Sequence, residues 1–471
     1  MNRRSPIVTV QLALVATALF LVEAVALCLP ALVNRGPILF TDTHGYYVGG
    51  RAALDKARAV FERHDGGTGA ESVGTVVQNA RAVRSAFYSV FMYLVAHGLS
   101  LWVVVAVQAI VAVLAIRLVF GLLCPDQPRW RSTLFILLLA VATTLSWTVS
   151  FAMPDLFTPL LVLCIIVAVL FWEQLAAATR WVLLAAITGT VVMHVTNPPV
   201  ALGVLGVGAL LKGRRLWPER TRFVMVGGAI GLGIVATLAV AVVGFKQWTL
   251  APHSPPFLLA RSIGDGPGKL YLREHCPGVG FAMCRHLDRL DVSVNDFIWD
   301  EDVGVYSAVS PEEKEQLRTE GNRIYVAAAL EHPWMQGTDI VLDTLQQLVL
   351  FSLHEYTIPS SADYTDTEMT LRPWHVPDTR RILFPFWQSI FSVPLYLVVI
   401  AALGYALYRW RKGSLSGDQR DFFVLVLAAV LIQALLGGMF SEPSPRYEAR
   451  VIWLIPMAAL LFAYRRANAG R

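Results

Sequence analysis

Charge is what this sequence has least of: Asp, Glu, Lys and Arg together make up 15% of its 471 residues. A soluble globular chain carries about a quarter, so a soluble reading is excluded. The 55% hydrophobic content and the mean hydropathy of +0.55 agree. Cysteine is scarce as well, five residues with no CxxC pair and no Cys/His spacing suited to zinc, which excludes a structural metal finger. The absence of a P-loop glycine motif argues against a primary pump. Internal repeats and heptad runs are missing too, so neither a solenoid nor a coiled coil is expected. Ionisable residues inside apolar runs are few, Glu23 and Arg117. Ion-coupled transport usually places such groups at mid-membrane, so their scarcity disfavours a coupled transporter.

What is present is a series of long apolar runs. A helix needs about 20 residues to cross a bilayer. Ten segments reach or approach that length, at 7–32, 99–123, 132–151, 156–172, 180–194, 199–211, 223–244, 384–408, 421–440 and 450–464. The fifth and sixth are short and flank Thr196, Asn197, Pro198 and Pro199, which leaves two spans or one bent hairpin open. The first is apolar over about 25 residues, beyond the roughly 7–15 of a signal-peptide core, so a retained span is expected. The fold class expected is an all-α polytopic membrane protein of about ten transmembrane helices, with interfacial helices in its first outer loop and a small outer module. Its organisation reads as a membrane region at 1–244 with the outer loop at 33–98, an outer module at 245–380, and a second membrane region at 381–471.

The charges sort by loop. Segments assigned to the inside carry 17 basic residues, among them Arg129, Arg131, Lys212, Arg220, Arg409 and Lys412, against five acidic ones. The inner face therefore sums to +12 and the outer to −7, with Glu23 and Arg117 cancelling within the spans. This is the positive-inside pattern, and it places both termini in the cytoplasm. The net charge of +5 is an orientation signal, and no nucleic-acid partner is expected.

The outer loop opens with Phe40, Thr41, Asp42, Thr43, His44, Gly45, Tyr46 and Tyr47, continues as a charged helical stretch from Arg51 to His64, and turns at 65–69. Residues 84–97 predict an aromatic helix at the membrane surface. The 245–380 region holds 20 acidic residues against 11 basic ones, so it reads as water-exposed. Cys276 and Cys284 lie within it, and a disulfide between them suits an oxidising compartment. Cys28, Cys124 and Cys164 fall in or beside spans and read as packing residues. The stretch 330–352 predicts another interfacial helix, while Asp363, Asp366 and Glu368 read as a solvated turn without the glycine and spacing of a calcium loop.

Polar residues gather at one level, the outer rim. Asp42 follows the first span, Asp155 sits in Ala152-Met153-Pro154-Asp155, His194 ends the fifth, and SEPSPRYEAR supplies Glu442, Arg446, Tyr447, Glu448 and Arg450. Either Asp could instead cap a helix, and either Arg could anchor the last helix to headgroups. A carboxylate at this level can deprotonate an acceptor hydroxyl, and a guanidinium can hold an anionic phosphate through paired hydrogen bonds. Such a set suits a reaction on a lipid-linked substrate.

On these features the chain resembles the GT-C glycosyltransferases, of the family 39 and aminoarabinose-transferase kind. Asp42 in FTDTHGYY is similar to their loop-one carboxylate, Asp155 in AMPD to their second outer carboxylate, and Arg446-Tyr447 to an Arg-Tyr pair before a final span. The resemblance implies an inverting transfer from a polyprenyl-phosphate sugar to a lipid or glycan acceptor, on the outer face of a bacterial inner membrane. It implies Asp42 and Asp155 as catalytic, and His44, Tyr46, His194, Arg446, Tyr447 and Arg450 as substrate-binding. Asp42 is followed by Thr43 and His44 and not by a second acid, so a divalent cation, Mg or Mn, is left open. Two other readings stand beside it, a transporter or flippase of lipid-linked glycans and a non-catalytic assembly subunit.

Overall fold

The structure is a computed structural model that describes residues 6–64, 84–213, 217–357 and 385–464. The turn at 65–69 and the acidic run at 363–368 lie outside the described residues. Among the described residues every element is helical, and β pairing amounts to one isolated parallel bridge between Ile38 and Phe151. Six helices are long and apolar enough to cross a membrane: Leu101–Leu123, Pro154–Gln174, Arg220–Phe245, Ile390–Arg411, Gly417–Phe440 and Pro445–Tyr464. Shorter apolar helices cover Leu14–Leu27, Ala86–His97, Ala177–Met193 and Asn197–Lys212.

In chain order the elements begin with α1 (Pro6–Leu27), α2 (Leu29–Val33), α3 (Thr41–His64), α4 (Ala86–Gly98), α5 (Leu101–Leu123), α6 (Arg129–Ala142), α7 (Leu145–Ser150) and α8 (Phe157–Phe171). Then come α9 (Ala177–Met193), α10 (Asn197–Lys212), α11 (Arg220–Phe245), α12 (Phe257–Asp265), α13 (Pro267–His275), α14 (Val294–Trp299), α15 (Pro311–Glu331) and α16 (Pro333–Val349). The series closes with α17 (His354–Thr357), α18 (Pro385–Arg411), α19 (Gly417–Phe440), α20 (Pro445–Ile452) and α21 (Leu454–Tyr464). The chain divides into two compact units, one of Met1–Leu250, Ser352–Ala429 and Ala449–Arg471, the other of Ala251–Phe351 and Val430–Glu448.

In the larger unit α8 is apolar on all sides and buried along almost its whole length, as a central helix must be. The two charges read inside spans meet: Glu23 on α1 is wholly buried and takes hydrogen bonds from Arg117 of α5 at 2.7 and 2.8 Å and from Thr133 of α6 at 2.6 Å. Mutual pairing is how a bilayer interior tolerates such groups. The segment expected as a continuous third span, 132–151, is instead broken at Thr143 and Thr144. Thr143 folds its hydroxyl onto the Leu139 carbonyl at 2.6 Å and accepts from the Leu145 amide, while Ser146 bonds to the Ala140 carbonyl. These side-chain bonds substitute for helical ones and let the chain turn.

The outer-loop helix begins at Thr41, ten residues before the charged helical stretch expected from Arg51, so Asp42 sits inside its first turn. A negative charge there is favoured by the helix dipole. α3 and α4 pack closely, and at Gly50 a Cβ would lie 2.1 Å from the Ser89 carbonyl oxygen. Ser85 caps α4 and Ser100 caps α5, each accepting from a nearby backbone amide.

The smaller unit is helical around a core that includes Leu259, Ile263, Leu272, Met283, Phe297, Leu317 and Ile324. Ser310 caps α15 with Pro311 and two glutamates in the first turn, a strong start signal. The expected disulfide joins Cys276 to Cys284, with an S–S distance of 2.05 Å.

Candidate active site

The two carboxylates singled out from sequence come from adjoining segments of the larger unit. Ile38 and Phe151 bridge in parallel, the Ala152 amide donates to the Ile38 carbonyl at 2.9 Å, and the Thr43 hydroxyl donates to the Ala152 carbonyl at 3.4 Å. Asp42 lies inside this stitch, one residue before Thr43, and Asp155 lies three residues past Ala152 on the other segment. Gln108 of α5 braces the same place, donating to the Val149 and Phe151 carbonyls at 2.8 and 2.9 Å.

A chain of contacts then runs across the site. Arg84, just ahead of α4, donates to Asp42 Oδ1 at 2.5 Å and lies over the Tyr46 ring at 5.8 Å. Asp42 and Tyr46 are four residues apart on one helix and so share a face. Tyr46 meets Tyr88 edge-on, centroids 5.0 Å apart, and Tyr88 meets Phe157 in the same manner at 6.0 Å. The Tyr88 hydroxyl bonds to Gln108 at 3.3 Å, and burial, helped by Tyr46 and Asp155, pushes its phenol up.

Asp155 and Arg450 face each other at 3.6 Å, each with 1% of its side chain exposed. Arg450 also donates to the Thr196 hydroxyl at 3.3 Å, and Thr196 bonds to His194 Nδ1 at 2.8 Å. Asp42, Tyr46, Asp155, His194 and Arg450 are thus linked through intermediaries. His44 is half-buried two residues past Asp42, on another face of α3. Tyr47, beside Tyr46, turns to His97, its hydroxyl 3.1 Å from Nδ1. Arg84, Gln108 and Thr196 were not anticipated as site residues, since no motif marks a lone Arg after a loop or a Gln within a span.

Arg446 and Tyr447 belong to the smaller unit. The Arg446 guanidinium lies 5.4 Å from the Tyr447 ring centroid, and the Tyr447 hydroxyl is 3.2 Å from that of Ser441. Arg446 and Glu448 are both buried.

Among the described residues one group has metal-ligand geometry, Glu274, Glu331 and His332 of the smaller unit, with ligand atoms within 4.8 Å of one another. Both glutamates are exposed, and none of the three was singled out for chemistry. A cavity of about 590 Å³ in the larger unit is lined by Leu211, Lys212, Trp410, Gly417, Arg420, Asp421 and Val424. It shares no residue with the contact chain, and the charge pattern assigns those segments to the inside. Comparison of the chain with family models, curated proteins and solved structures finds no match.

Proposed function

We propose that the chain is a GT-C-type integral membrane glycosyltransferase that moves a sugar from a polyprenyl-phosphate donor to a lipid or glycan acceptor. In this reading about ten spans cross a bacterial inner membrane, both termini are cytoplasmic, and the reaction takes place on the outer face among membrane lipids. The observation that carries it is the stitch between residues 38–43 and 150–155, which gathers Asp42, Arg84, Tyr46, Asp155 and Arg450 into one buried-to-exposed sequence.

The chemistry needs a base and an anion holder. Asp42, the more exposed carboxylate, takes the proton from the acceptor hydroxyl as its oxygen attacks the anomeric carbon. The bond from that carbon to the phosphate oxygen breaks on the opposite face, inverting the centre, and polyprenyl phosphate leaves with the bonding pair. Arg450, held by Asp155 and Thr196, is the guanidinium suited to that phosphate. His194 and Tyr46 border the sugar and acceptor. Asp42 and Asp155 each face a guanidinium, an arrangement that fits an anion better than a divalent cation.

The test is product analysis. Purified chain given a polyprenyl-phosphate sugar and an acceptor extract should release polyprenyl phosphate, read by mass spectrometry. Intact donor relocated across a vesicle without cleavage identifies a flippase instead. Neither event, with the chain folded, identifies an assembly subunit.

A further inference from the structure

α16 is inside out. Its buried residues are polar, Gln336, Thr344 and Gln347, while Trp334, Val341, Leu342, Leu345 and Val349 are 55–87% exposed. At 100° per residue these five fall on one stripe about a third of the way round the helix. Val326 and Leu330 at the end of α15 are bare too, at 53% and 78%.

The polar face is occupied by protein. Gln347 grips Ser444 from both sides, donating to its carbonyl and accepting from its amide, each at 2.9 Å. Asp343 pairs with Arg261, and Ser262 donates to Gln336. The outer turns of α19 press against this face so closely that a Cβ on Gly438 would lie 2.7 Å from the Thr344 amide nitrogen. A soluble helix placed in water would be stable with its faces exchanged.

We infer that this stripe is seated in the acyl-headgroup boundary of the outer leaflet, which makes the smaller unit a membrane-seated module and not the water-exposed one its acidic composition suggests. Lipid is the occupant because α19, the helix packed against the polar face, is itself of span length and composition. Its Leu431, Leu435 and Phe440, in the same unit, are exposed in the same way. A 17-residue helix is about 25 Å long, short of the ~30 Å hydrocarbon core, so α16 lies along the interface and does not cross it. Through Gln347 it also fixes the backbone two residues ahead of Arg446 at interface depth.

The inference is independent of any transferase activity. Full-length chain with Cys28, Cys124 and Cys164 changed to Ala is spin-labelled singly at L342C or L345C, and at E301C as a reference, then placed in lipid nanodiscs. Power saturation is expected to find the stripe labels colliding several-fold more with oxygen than with a nickel chelate, and the reference label the reverse. A stripe label open to the nickel chelate overturns the inference. So does one shielded from both colliders, which means a second copy or another protein covers it. Should labelling disturb folding, brominated-lipid quenching compares wild type with Trp334→Phe. Loss of a lipid-quenched share of tryptophan emission supports the inference, and identical quenching opposes it.

Discussion

Arg84 touches both Asp42 and Tyr46 because those two residues, one helical turn apart, present a single face to it. Asp42 is 36% exposed, so the ion pair contributes little to stability, about 1 kcal/mol or less. Its value in the proposed chemistry is orientation. Arg84→Ala is expected to leave the melting temperature nearly unchanged and to lower kcat by about 100-fold, the scale of a misplaced reacting group; equal kcat in the two proteins would remove Arg84 from the site. Asp155 and Arg450 behave differently, because both are buried. Arg450→Gln strands a buried carboxylate and should cost about 3–5 kcal/mol, visible as a large loss of thermal stability in detergent. Asp265, in the smaller unit, offers a pH test. Burial pushes its carboxyl up to about 6 from 3.8, with Arg261 opposing and Asp339 and Glu442 adding to the rise. Between those values the folded chain binds the proton more tightly than the unfolded chain, so this residue's contribution to stability falls as pH rises through the window. Asp265→Asn should flatten that slope in thermal melts, and an unchanged slope would contradict the assignment. Asp42, Asp155 and Arg450 were legible in the sequence because charge is rare in this chain and each interrupts an apolar context. Their partners were not, since contact between residues 42 and 84, or 155 and 450, is set by packing across long separations.

Helices were legible where composition alone decides them. Long apolar runs announce themselves by length, and each of the six helices of span size overlaps an expected segment, five of them running past one or both of its ends. The break at Thr143 and Thr144 was hidden because both residues are apolar enough to continue a run, and only their hydroxyl bonds to carbonyls end the helix. The start of α3 was misplaced for a related reason: Gly45 and Gly50 look like turn residues, yet both lie within the helix. Gly50 is there because Ser89 of α4 comes so close. Gly50→Ala should force α3 and α4 apart and destabilise by about 1–3 kcal/mol, an overpacking cost, whereas Gly189→Ala, where nothing lies within 4 Å, should be neutral or slightly stabilising. Comparable melting of the two variants would contradict the close approach. The polarity of α16 was only half legible. Its helical spacing predicted an amphipathic element, but which face meets protein is decided by Ser444 and α19.

Across the whole molecule, what little charge there is does three separate jobs. Basic residues concentrate in the loops assigned to the inside, Glu23 and Arg117 neutralise each other within the larger unit, and Asp42 with Arg84 and Asp155 with Arg450 pair at the stitched segments. The first of these predicts topology: a fluorescent protein fused at either end should glow in the cytoplasm, and a dark fusion at one end would refute the orientation. The stitch between residues 38–43 and 150–155 could not be read beforehand, because a single bridge carries no strand pattern. It is nevertheless what brings Asp42 into the company of Asp155 and Arg450, where the proposed reaction needs Asp42 as its base. The most direct measurement is release of polyprenyl phosphate from a polyprenyl-phosphate sugar by purified Asp42→Asn chain, alongside wild type of equal thermal stability. Wild type is expected to release it and the variant to release none detectable above background; release by the variant at the wild-type rate would show that Asp42 is not the base.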